Sequence, residues 1–207
     1  RALSARAAVD DGADILLMDD GFQNPGLEKS LSILAIDGGY GFGNGLVMPA
    51  GPLREQLASG LARADAAVII GEDVAGSRTA IGGRCPIFEA RILPLPDEEI
   101  AGKRVFAFAG IGRPEKFYRT LLDIGCTLAG TRDFADHHRY TPDEIIRLCD
   151  DALSLEAIPV TTEKDLVRLP AEAWQMGRAL DISLEWAEEN AVDILLRQVL
   201  GEVTGNG

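Results

Sequence analysis

The 207-residue sequence is poor in cysteine, in histidine, in aromatic residues and in long apolar runs. Its three cysteines, Cys85, Cys126 and Cys149, are odd in number and form no C-x-x-C pair. This argues against a zinc site and indicates a reducing compartment. No apolar run approaches the roughly 20 residues that a membrane span needs, and no signal-peptide pattern opens the chain. We therefore expect these residues to be globular and soluble.

Basic residues are also scarce, since 20 Lys and Arg stand against 33 Asp and Glu, for a net charge of −13. Such a charge disfavours nucleic acid as the main partner and repels anionic membrane surfaces at long range. A local basic patch is still compatible with it. The length suits one large domain or two small ones.

The sequence contains no G-x-x-x-x-G-K-[ST] phosphate loop, yet it has a segment of the kind that usually accompanies one. Residues 15–18 are four apolar residues, followed by Asp19, Asp20 and a glycine. This predicts a buried strand that delivers two carboxylates to a site, and it resembles the Walker B end of a P-loop nucleotide-binding sheet. Because residue 1 is Arg rather than Met, we expect that the chain begins inside a longer protein and that the phosphate loop precedes it.

Strand and helix patterns alternate along the first part of the chain, as they do in parallel α/β sheets. The predicted elements there are a helix at 2–11, strands at 15–18, 31–36 and 66–70, and a helix that opens in 49–55 and runs to about Ala62. Residues 38–45 contain five glycines, which predicts a flexible loop after a strand, and 71–84 reads as a surface connection.

A second α/β unit follows. Its predicted elements are strands at 105–109 and 158–161 and helices at 114–124 and 142–154, the last with a capping box from Thr141 to Glu144. Segments 87–93 and 179–186 have strand character and are predicted to pair as a connector. We therefore predict an α/β fold with a partial, P-loop-like parallel-sheet domain in residues 1–86. A smaller α/β domain with flanking connector strands occupies 87–186, and a C-terminal helix in 187–207 returns to the first domain.

Five motifs appear in order and span nearly the whole chain. They are Asp19-Asp20-Gly21-Phe22-Gln23, the glycine-rich 41–45 with Pro49 to Glu55, Phe108 to Pro114, Asp136-His137-His138-Arg139-Tyr140, and Thr162-Glu163-Lys164-Asp165. Together they resemble tetraacyldisaccharide 4'-kinase, the lipid A 4'-kinase family of Gram-negative bacteria. Asn24 and Ser30 depart from the family pattern, which often has His and Asp there.

The resemblance implies a P-loop kinase whose two α/β domains close over ATP. It implies transfer of the γ-phosphate to the 4'-hydroxyl of a tetraacylated glucosamine disaccharide 1-phosphate, at the cytoplasmic face of the inner membrane. The family's N-terminal part carries the phosphate loop and a membrane-associating segment. We therefore expect ATP and Mg²⁺ as cofactors, the lipid A precursor as partner, peripheral membrane association through the missing segment, and little or no activity of this chain alone.

Phosphoryl transfer to a sugar hydroxyl requires an in-line position and an acceptor for the hydroxyl proton. We predict Asp20 as that acceptor and Asp19 as the carboxylate that serves Mg²⁺, with Asp37 as a second metal candidate. The structural alternative is that one of the paired acids only caps the turn. The chain has only two histidines. The resemblance supports His137 as the partner of the acid, whereas on sequence alone an exposed loop pair is equally favoured.

The remaining candidates are binding residues. For the acceptor substrate we predict Gln23, Gly43, Asn44, Gly45, Arg54 and His138. For the nucleotide we predict Gly110, Gly112, Arg113 and Lys164. Glycine loops let backbone N–H groups approach phosphate, but they also simply form turns, and a salt-bridged turn explains Lys164 almost as well.

Two other functions compete. Asp136-His137-His138 by itself resembles metal-dependent phosphoesterases, but these need further His ligands, and this chain has none. The other is a non-catalytic nucleotide- or lipid-binding module without a phosphate loop, which would gain if these residues were the whole protein.

Overall fold

The computed structural model describes residues 2–95, 97–174 and 177–203. The helices within them are α1 (Ala2–Asp10), α2 (Leu57–Leu61), α3 (Ser77–Ile81), α4 (Pro114–Asp123), α5 (Pro142–Ser154), α6 (Glu163–Leu166) and α7 (Ala191–Val203). The strands are β1 (Ile33–Asp37), β2 (Ala66–Ile70), β3 (Ile87–Pro94), β4 (Arg104–Ala109), β5 (Thr127–Asp133), β6 (Ile158–Thr162), β7 (Arg178–Leu180) and β8 (Ile182–Trp186).

The chain divides into two compact units, which we call the first unit (Arg1–Ile92 with Leu184–Gly207) and the second unit (Leu93–Ser183). One four-stranded sheet has the order β1-β2-β3-β8, and another has the order β5-β4-β6-β7. The pairs β1–β2 and β2–β3 are parallel, as are all three pairs of the other sheet. This confirms the predicted α/β fold with parallel sheets. The predicted domain bounds stay a prediction.

The predicted connector segments are neighbours in one sheet, since β3 lies beside β8. The Ala187 N–H donates to the Glu89 carbonyl at 2.9 Å. The segment 179–186 is not one strand, however. It breaks at Asp181, and the shorter part, β7, pairs with β6 instead.

The second unit buries both faces of its sheet. Side chains alternate along β4 because successive residues of a strand point to opposite faces. Val105, Ala107 and Ala109 pack in a cluster with Phe117 and Leu121 of α4. Phe106 and Phe108 pack in a cluster with Ile145 and Leu148 of α5. A parallel sheet covered by helices on both sides explains why β4 reads as a continuous apolar run.

Helix α5 has the predicted bounds and the predicted cap. The Thr141 hydroxyl accepts the Glu144 N–H, and the Glu144 carboxylate accepts the Thr141 N–H at 2.8 Å, which completes a capping box. Strand β5 and the short helices α3 and α6 were not predicted. Strand β5 has no alternating pattern of apolar and polar residues. It contains Gly130, where a side chain would not fit, because an added Cβ would come 2.9 Å from the Phe106 ring. Helix α3 is only five residues long and lies within the predicted surface connection.

The predicted buried strand at 15–18 is wrong. These residues belong to no strand, and Ile15, Leu16 and Leu17 are 60%, 43% and 94% exposed. An apolar segment becomes a strand only when a neighbour accepts its backbone hydrogen bonds, and no strand within the described residues pairs with this one.

The predicted helix up to Ala62 is mostly a loop. Backbone hydrogen bonds from Met48 to Leu53 and from Leu53 to Leu46 close residues 46–53 on themselves, so α2 begins only at Leu57. The last helix begins at Ala191 rather than 187. Within the described residues, no helix has both the length and the apolar character that crossing a membrane requires.

Candidate active site

Asp20 follows the exposed apolar segment 15–18 and has an unusual backbone. Its φ is +50°, in the left-handed region that non-glycine residues seldom adopt, although Asp tolerates it better than most. Gly21 beside it is buried, and an added Cβ would come 2.6 Å from the Met18 Cβ. Arg54 Nη1 lies 2.7 Å from Asp20 Oδ1, and the two side chains are 56% and 60% exposed. The structure therefore brings together two predicted site residues of opposite charge, Asp20 and Arg54.

The glycine-rich loop after β1 is a series of turns. Gly41, Gly43 and Gly45 have φ values of +58°, +59° and +73°. The Asn44 side chain ties this loop together, because its Nδ2 donates to the Ala50 carbonyl at 2.8 Å and its Oδ1 accepts the Leu46 N–H at 3.1 Å. The loop is thus held in shape by Asn44, which was predicted as a substrate ligand.

A cleft in the first unit adjoins these residues. Its lining combines apolar side chains with polar ones, namely Phe22, Gln23, Leu34, Phe42, Leu53, Arg54, Glu55, Gln56, Leu57, Gly60 and Leu61. Arg63 Nη2 lies 2.8 Å from Glu55 Oε1, and this hydrogen bond holds the pKa of Glu55 below its ordinary value. The Arg63 guanidinium also lies 5.2 Å from the Phe22 ring centre. The cleft therefore contains two of the predicted substrate residues, Gln23 and Arg54.

The predicted metal ligands are Asp19 and Asp37. Asp37 ends β1, and its Oδ1 accepts the Gly39 N–H at 2.9 Å. No group of three or more His, Cys, Asp or Glu side chains in the described ranges is arranged to hold a metal. Mg²⁺ in phosphoryl-transfer sites needs only one or two carboxylates beside water and phosphate oxygens. Asp19 and Asp37 as ligands of Mg²⁺ therefore stay a prediction.

In the second unit the candidates follow the carboxyl ends of parallel strands. Gly110 follows β4, the His137 loop follows β5, and α6 follows β6. The chain order reverses around β4, since β5 and β6 lie on its two sides. Open α/β sheets bind ligands at the carboxyl edge where the strand order reverses. The topology alone therefore places this loop cluster where a ligand is expected.

A buried carboxylate organises that edge. Asp165 is 0% exposed. Its Oδ2 accepts the Gly110 N–H at 3.0 Å and the Thr162 hydroxyl at 2.8 Å, and its Oδ1 lies 3.3 Å from Arg168 Nη1. A buried charge needs several such partners to offset the loss of hydration. Its charge also adds to burial in raising the pKa of the Tyr140 hydroxyl.

His137 is attached to this network by both its backbone and its ring. Its φ is +61°, and its N–H donates to the Gly110 carbonyl at 3.0 Å. Arg168 Nη2 lies 3.0 Å from His137 Nδ1. The ring is 79% exposed, and its Nε2 lies 3.8 Å from Asp136 Oδ2. Asp20 belongs to the first unit and His137 to the second, so the predicted hydrogen bond between them stays a prediction.

His138, the predicted substrate ligand, lies in an aromatic cluster. Its ring stacks on Phe134 with centres 4.7 Å apart and meets Tyr140 edge-on at 4.9 Å. Its Nε2 lies 3.2 Å from Glu144 Oε2, and the ring is 25% exposed. The pKa of Glu144 is lowered, mainly by the Thr141 backbone N–H and next by His138. These contacts indicate that His138 supports the loop.

The predicted nucleotide residues differ in accessibility. Gly110 is buried, and its N–H and carbonyl already have partners within the chain. Gly112 is exposed, with Asp136 Oδ2 3.8 Å from where its Cβ would be. Arg113 lies at the start of α4, 3.3 Å from Glu115, and Lys164 is exposed on α6. Direct contact with a ligand is therefore open to Gly112 and Lys164, whereas Gly110 contributes through the shape of the turn.

Sequence reasoning missed Asp165 as the buried centre of this edge and Arg168 as the partner of His137. Asp165 was noted only as the end of a motif. The spacing from Thr162 to Asp165 is a helix-capping signal, and Arg168 follows at helical spacing, so the local pattern was readable. The contacts of Asp165 with Gly110 and of Arg168 with His137 were not predictable, because they join positions far apart in the chain.

The family model for tetraacyldisaccharide-1-P 4'-kinase matches residues 1–200. The chain belongs to this family. It is similar to the tetraacyldisaccharide 4'-kinase of Rhodospirillum centenum, with 51% identity over 100% of the chain and 62% of the relative. It is 47% identical to that of Gluconacetobacter diazotrophicus, over 95% of the chain and 60% of the relative. The chain thus spans about three-fifths of the length of these tetraacyldisaccharide 4'-kinases.

The fold is also similar to a crystal structure of LpxK from Aquifex aeolicus in complex with ATP. The TM-score is 0.59 at 23% identity, over 86% of this chain and 55% of that one. This likeness supports the P-loop kinase fold of the family.

Proposed function

We propose that the protein containing this chain transfers the γ-phosphate of ATP to the 4'-hydroxyl of a tetraacylated glucosamine disaccharide 1-phosphate, in lipid A biosynthesis. The match to the kinase family along residues 1–200 carries the proposal. Relatives that bear the name tetraacyldisaccharide 4'-kinase support it at 43% to 51% identity. So does the similarity in fold to an enzyme crystallised with ATP.

In the proposed reaction the 4'-oxygen forms a bond to the γ-phosphorus while the bond from that phosphorus to the β,γ-bridging oxygen breaks, and ADP leaves. Asp20 accepts the hydroxyl proton. Its exposed carboxylate and its fixed, left-handed backbone support this role, since such backbone positions cluster at functional sites. His137, which has the same kind of backbone, holds the acid in position.

Mg²⁺, when bound, would neutralise charge on the transferred phosphate, and Asp19 with Asp37 would supply carboxylate oxygens to it. We assign Gln23, Arg54 and the loop of Gly43, Asn44 and Gly45 to the acceptor side, next to the cleft in the first unit. Gly112, Arg113 and Lys164, together with the turn at Gly110, are assigned to the nucleotide, and His138 supports the acceptor side through its loop.

The 207 residues contain no phosphate loop. The lysine and hydroxyl of such a loop neutralise phosphate charge and bind the metal, so we propose that these residues alone do not transfer phosphate. We also propose that the enzyme acts at the cytoplasmic face of the inner membrane as a peripheral protein. A net charge of −13 gives no support to a nucleic-acid partner.

The test is phosphate transfer from ATP to the disaccharide 1-phosphate by the full-length gene product. Asp20→Ala and His137→Ala are compared with Asp150→Ala, which changes an exposed acid on α5. We expect each site variant to lower kcat by at least ~100-fold while the fold is kept, and the control to be fully active. An inactive full-length protein overturns the proposed function. Full activity of Asp20→Ala overturns only the assignment of the base.

The alternative from the sequence analysis is a module that binds nucleotide or lipid without catalysis. Calorimetric titration of the full-length protein with ATP and with the disaccharide 1-phosphate separates the two. Binding without any transfer supports the module, and transfer excludes it.

A further inference from the structure

The ring of His137 is contacted at Nδ1 by a group that can only donate. Arg168 Nη2 lies 3.0 Å from that nitrogen. A guanidinium has five N–H donors, has no acceptor and does not lose its proton in proteins. Nδ1 must therefore accept this hydrogen bond with its lone pair. The proton of the neutral ring is then on Nε2.

Arg168 is itself held by buried groups. Its Nη1 lies 3.3 Å from Asp165 Oδ1 and donates to the Gly110 carbonyl at 3.0 Å. Asp165 is 0% exposed, and the Arg168 side chain is 21% exposed, whereas the His137 side chain is 79% exposed. The contacts therefore run from the buried carboxylate of Asp165 through the Arg168 guanidinium to the exposed ring of His137.

The backbone of His137 is held by a group that also binds Arg168. Its N–H donates to the Gly110 carbonyl that also accepts from Arg168, so backbone and ring are positioned together. On the other side of the ring, Nε2 faces Asp136 Oδ2 at 3.8 Å. This distance is too long for a hydrogen bond, but a carboxylate there favours a proton on Nε2 rather than a lone pair.

We propose that Arg168 is a positioning residue that fixes His137 in the Nε2–H tautomer. The free edge of the ring then offers a hydrogen-bond donor to a carboxylate, and it offers no lone pair to the substrate hydroxyl. His137 holds the acid and does not take the first proton, because protonation at Nδ1 requires the contact with Arg168 to break. That the carboxylate is Asp20 rests on the proposed function, whereas the tautomer is a property of this chain.

The tautomer is measured directly by long-range ¹H–¹⁵N NMR of the imidazole rings in the full-length, ¹⁵N-labelled protein. A His137→Gln variant assigns the signals. We expect Nε2 of His137 to resonate as a protonated nitrogen and Nδ1 as an unprotonated one. A proton on Nδ1 in the unchanged protein overturns the proposal.

The deciding variant is Arg168→Lys. It keeps a positive charge beside the buried Asp165, so the buried carboxylate keeps an oppositely charged partner and the fold is kept. Its ammonium group lacks the rigid planar guanidinium, whose two terminal nitrogens point one to Gly110 and the other to His137. We expect His137 to become a mixture of tautomers. Arg147→Lys is the matched control, since among the described residues its guanidinium donates to the Asp143 carbonyl of the same helix.

His138 is an internal control in the same spectra. Its Nε2 contacts Glu144 at 3.2 Å, so its tautomer should be the same in both variants. A change at His138 equal to that at His137 means that the whole loop has moved, and this overturns a specific role for Arg168. An unchanged His137 in Arg168→Lys overturns it as well.

Kinetics of the same full-length variants link the tautomer to the reaction. We expect Arg168→Lys to lower kcat by about 10- to 100-fold and to leave KM for ATP unchanged. If Arg168→Lys has a normal kcat although His137 is a mixture of tautomers, the proposed link between the tautomer and catalysis is overturned. If the unchanged protein has no kinase activity, the proposed function fails, and the NMR comparison still decides on the tautomer.

Discussion

Arg54 pairs with Asp20, with Nη1 and Oδ1 2.7 Å apart, and both side chains are more than half exposed. An ion pair in so much water contributes little to stability. The pair joins two residues that the sequence separately indicates for the same site. We therefore expect Arg54 to matter for the position of Asp20 rather than for folding.

Arg54→Met should lower the transfer rate of the full-length enzyme by about 10- to 100-fold, because a misplaced base loses alignment with the hydroxyl. The free energy of unfolding should change by less than about 0.5 kcal/mol. Arg78→Met is the control, since Arg78 forms an exposed ion pair with Glu89 in the same unit. Equal loss of activity in both variants would contradict the prediction.

Gly43 and Gly45 form a matched pair, since both have positive φ but differ in space. A Cβ on Gly43 would come 2.6 Å from Pro52 Cγ, whereas a Cβ on Gly45 would meet nothing within 4 Å. Gly45→Ala should cost about 1 kcal/mol in the free energy of unfolding for the backbone alone. Gly43→Ala should cost clearly more in urea unfolding. Similar values for the two would show that Pro52 moves aside freely.

Gly110→Ala should disturb the second unit, and Gly112→Ala should not. A Cβ on Gly110 would come 3.0 Å from Asp165 Oδ1 and 3.2 Å from the Ala135 carbonyl, while one on Gly112 has only a contact at 3.8 Å. We expect a lower midpoint of thermal unfolding for Gly110→Ala alone. If Gly112 contacts nucleotide, Gly112→Ala raises KM for ATP at unchanged stability. A Gly110→Ala protein as stable as the unchanged one would refute the tight packing.

Asp165→Ala should destabilise the protein by about 3 kcal/mol or more, because it leaves Arg168, Thr162 and the Gly110 N–H without their buried acceptor. Asp151→Ala removes an acid that pairs with Arg132 at 2.9 Å, where both side chains are more than 40% exposed. Its cost should be below about 1 kcal/mol. Urea unfolding of both variants measures the difference, and equal costs would contradict it.

Glu144 should make stability depend on pH. Its pKa in the folded protein is below the ordinary 4.5, mainly through the Thr141 N–H. A lowered pKa means that the stabilisation is complete above 4.5 and is lost as the pH falls through the folded value. The difference in free energy of unfolding between the unchanged protein and Glu144→Gln should therefore be largest near neutral pH and shrink below 4.5. A difference that stays constant with pH would rule out the carboxylate as its source.

Local patterns were sufficient for several elements. The Thr141 and Glu144 cap predicted the start of α5, and the apolar run at 105–109 predicted β4. Both signals consist of residues that are close together in the sequence. Asp20 and His137 were also singled out from sequence. The positive φ that they share appears only in the structure.

Elements that depend on partners were not predictable in the same way. Residues 15–17 are as apolar as a buried strand, yet they lie exposed, since strand formation depends on a neighbour rather than on composition. Strand β5 shows the reverse case, because its pairing with β4 stabilises a segment that has no strand pattern.

The sequence by itself determined the family, the alternation of strands and helices, and the acids and histidine that the proposed chemistry needs. Only the tertiary structure decided that Arg54 pairs with Asp20 and that Asp165, through Arg168, sets the ring of His137. These contacts join residues that are 34, 3 and 31 positions apart. The two contacts between distant residues form because the fold brings their loops together. The spacing of residues along the sequence does not predict such contacts.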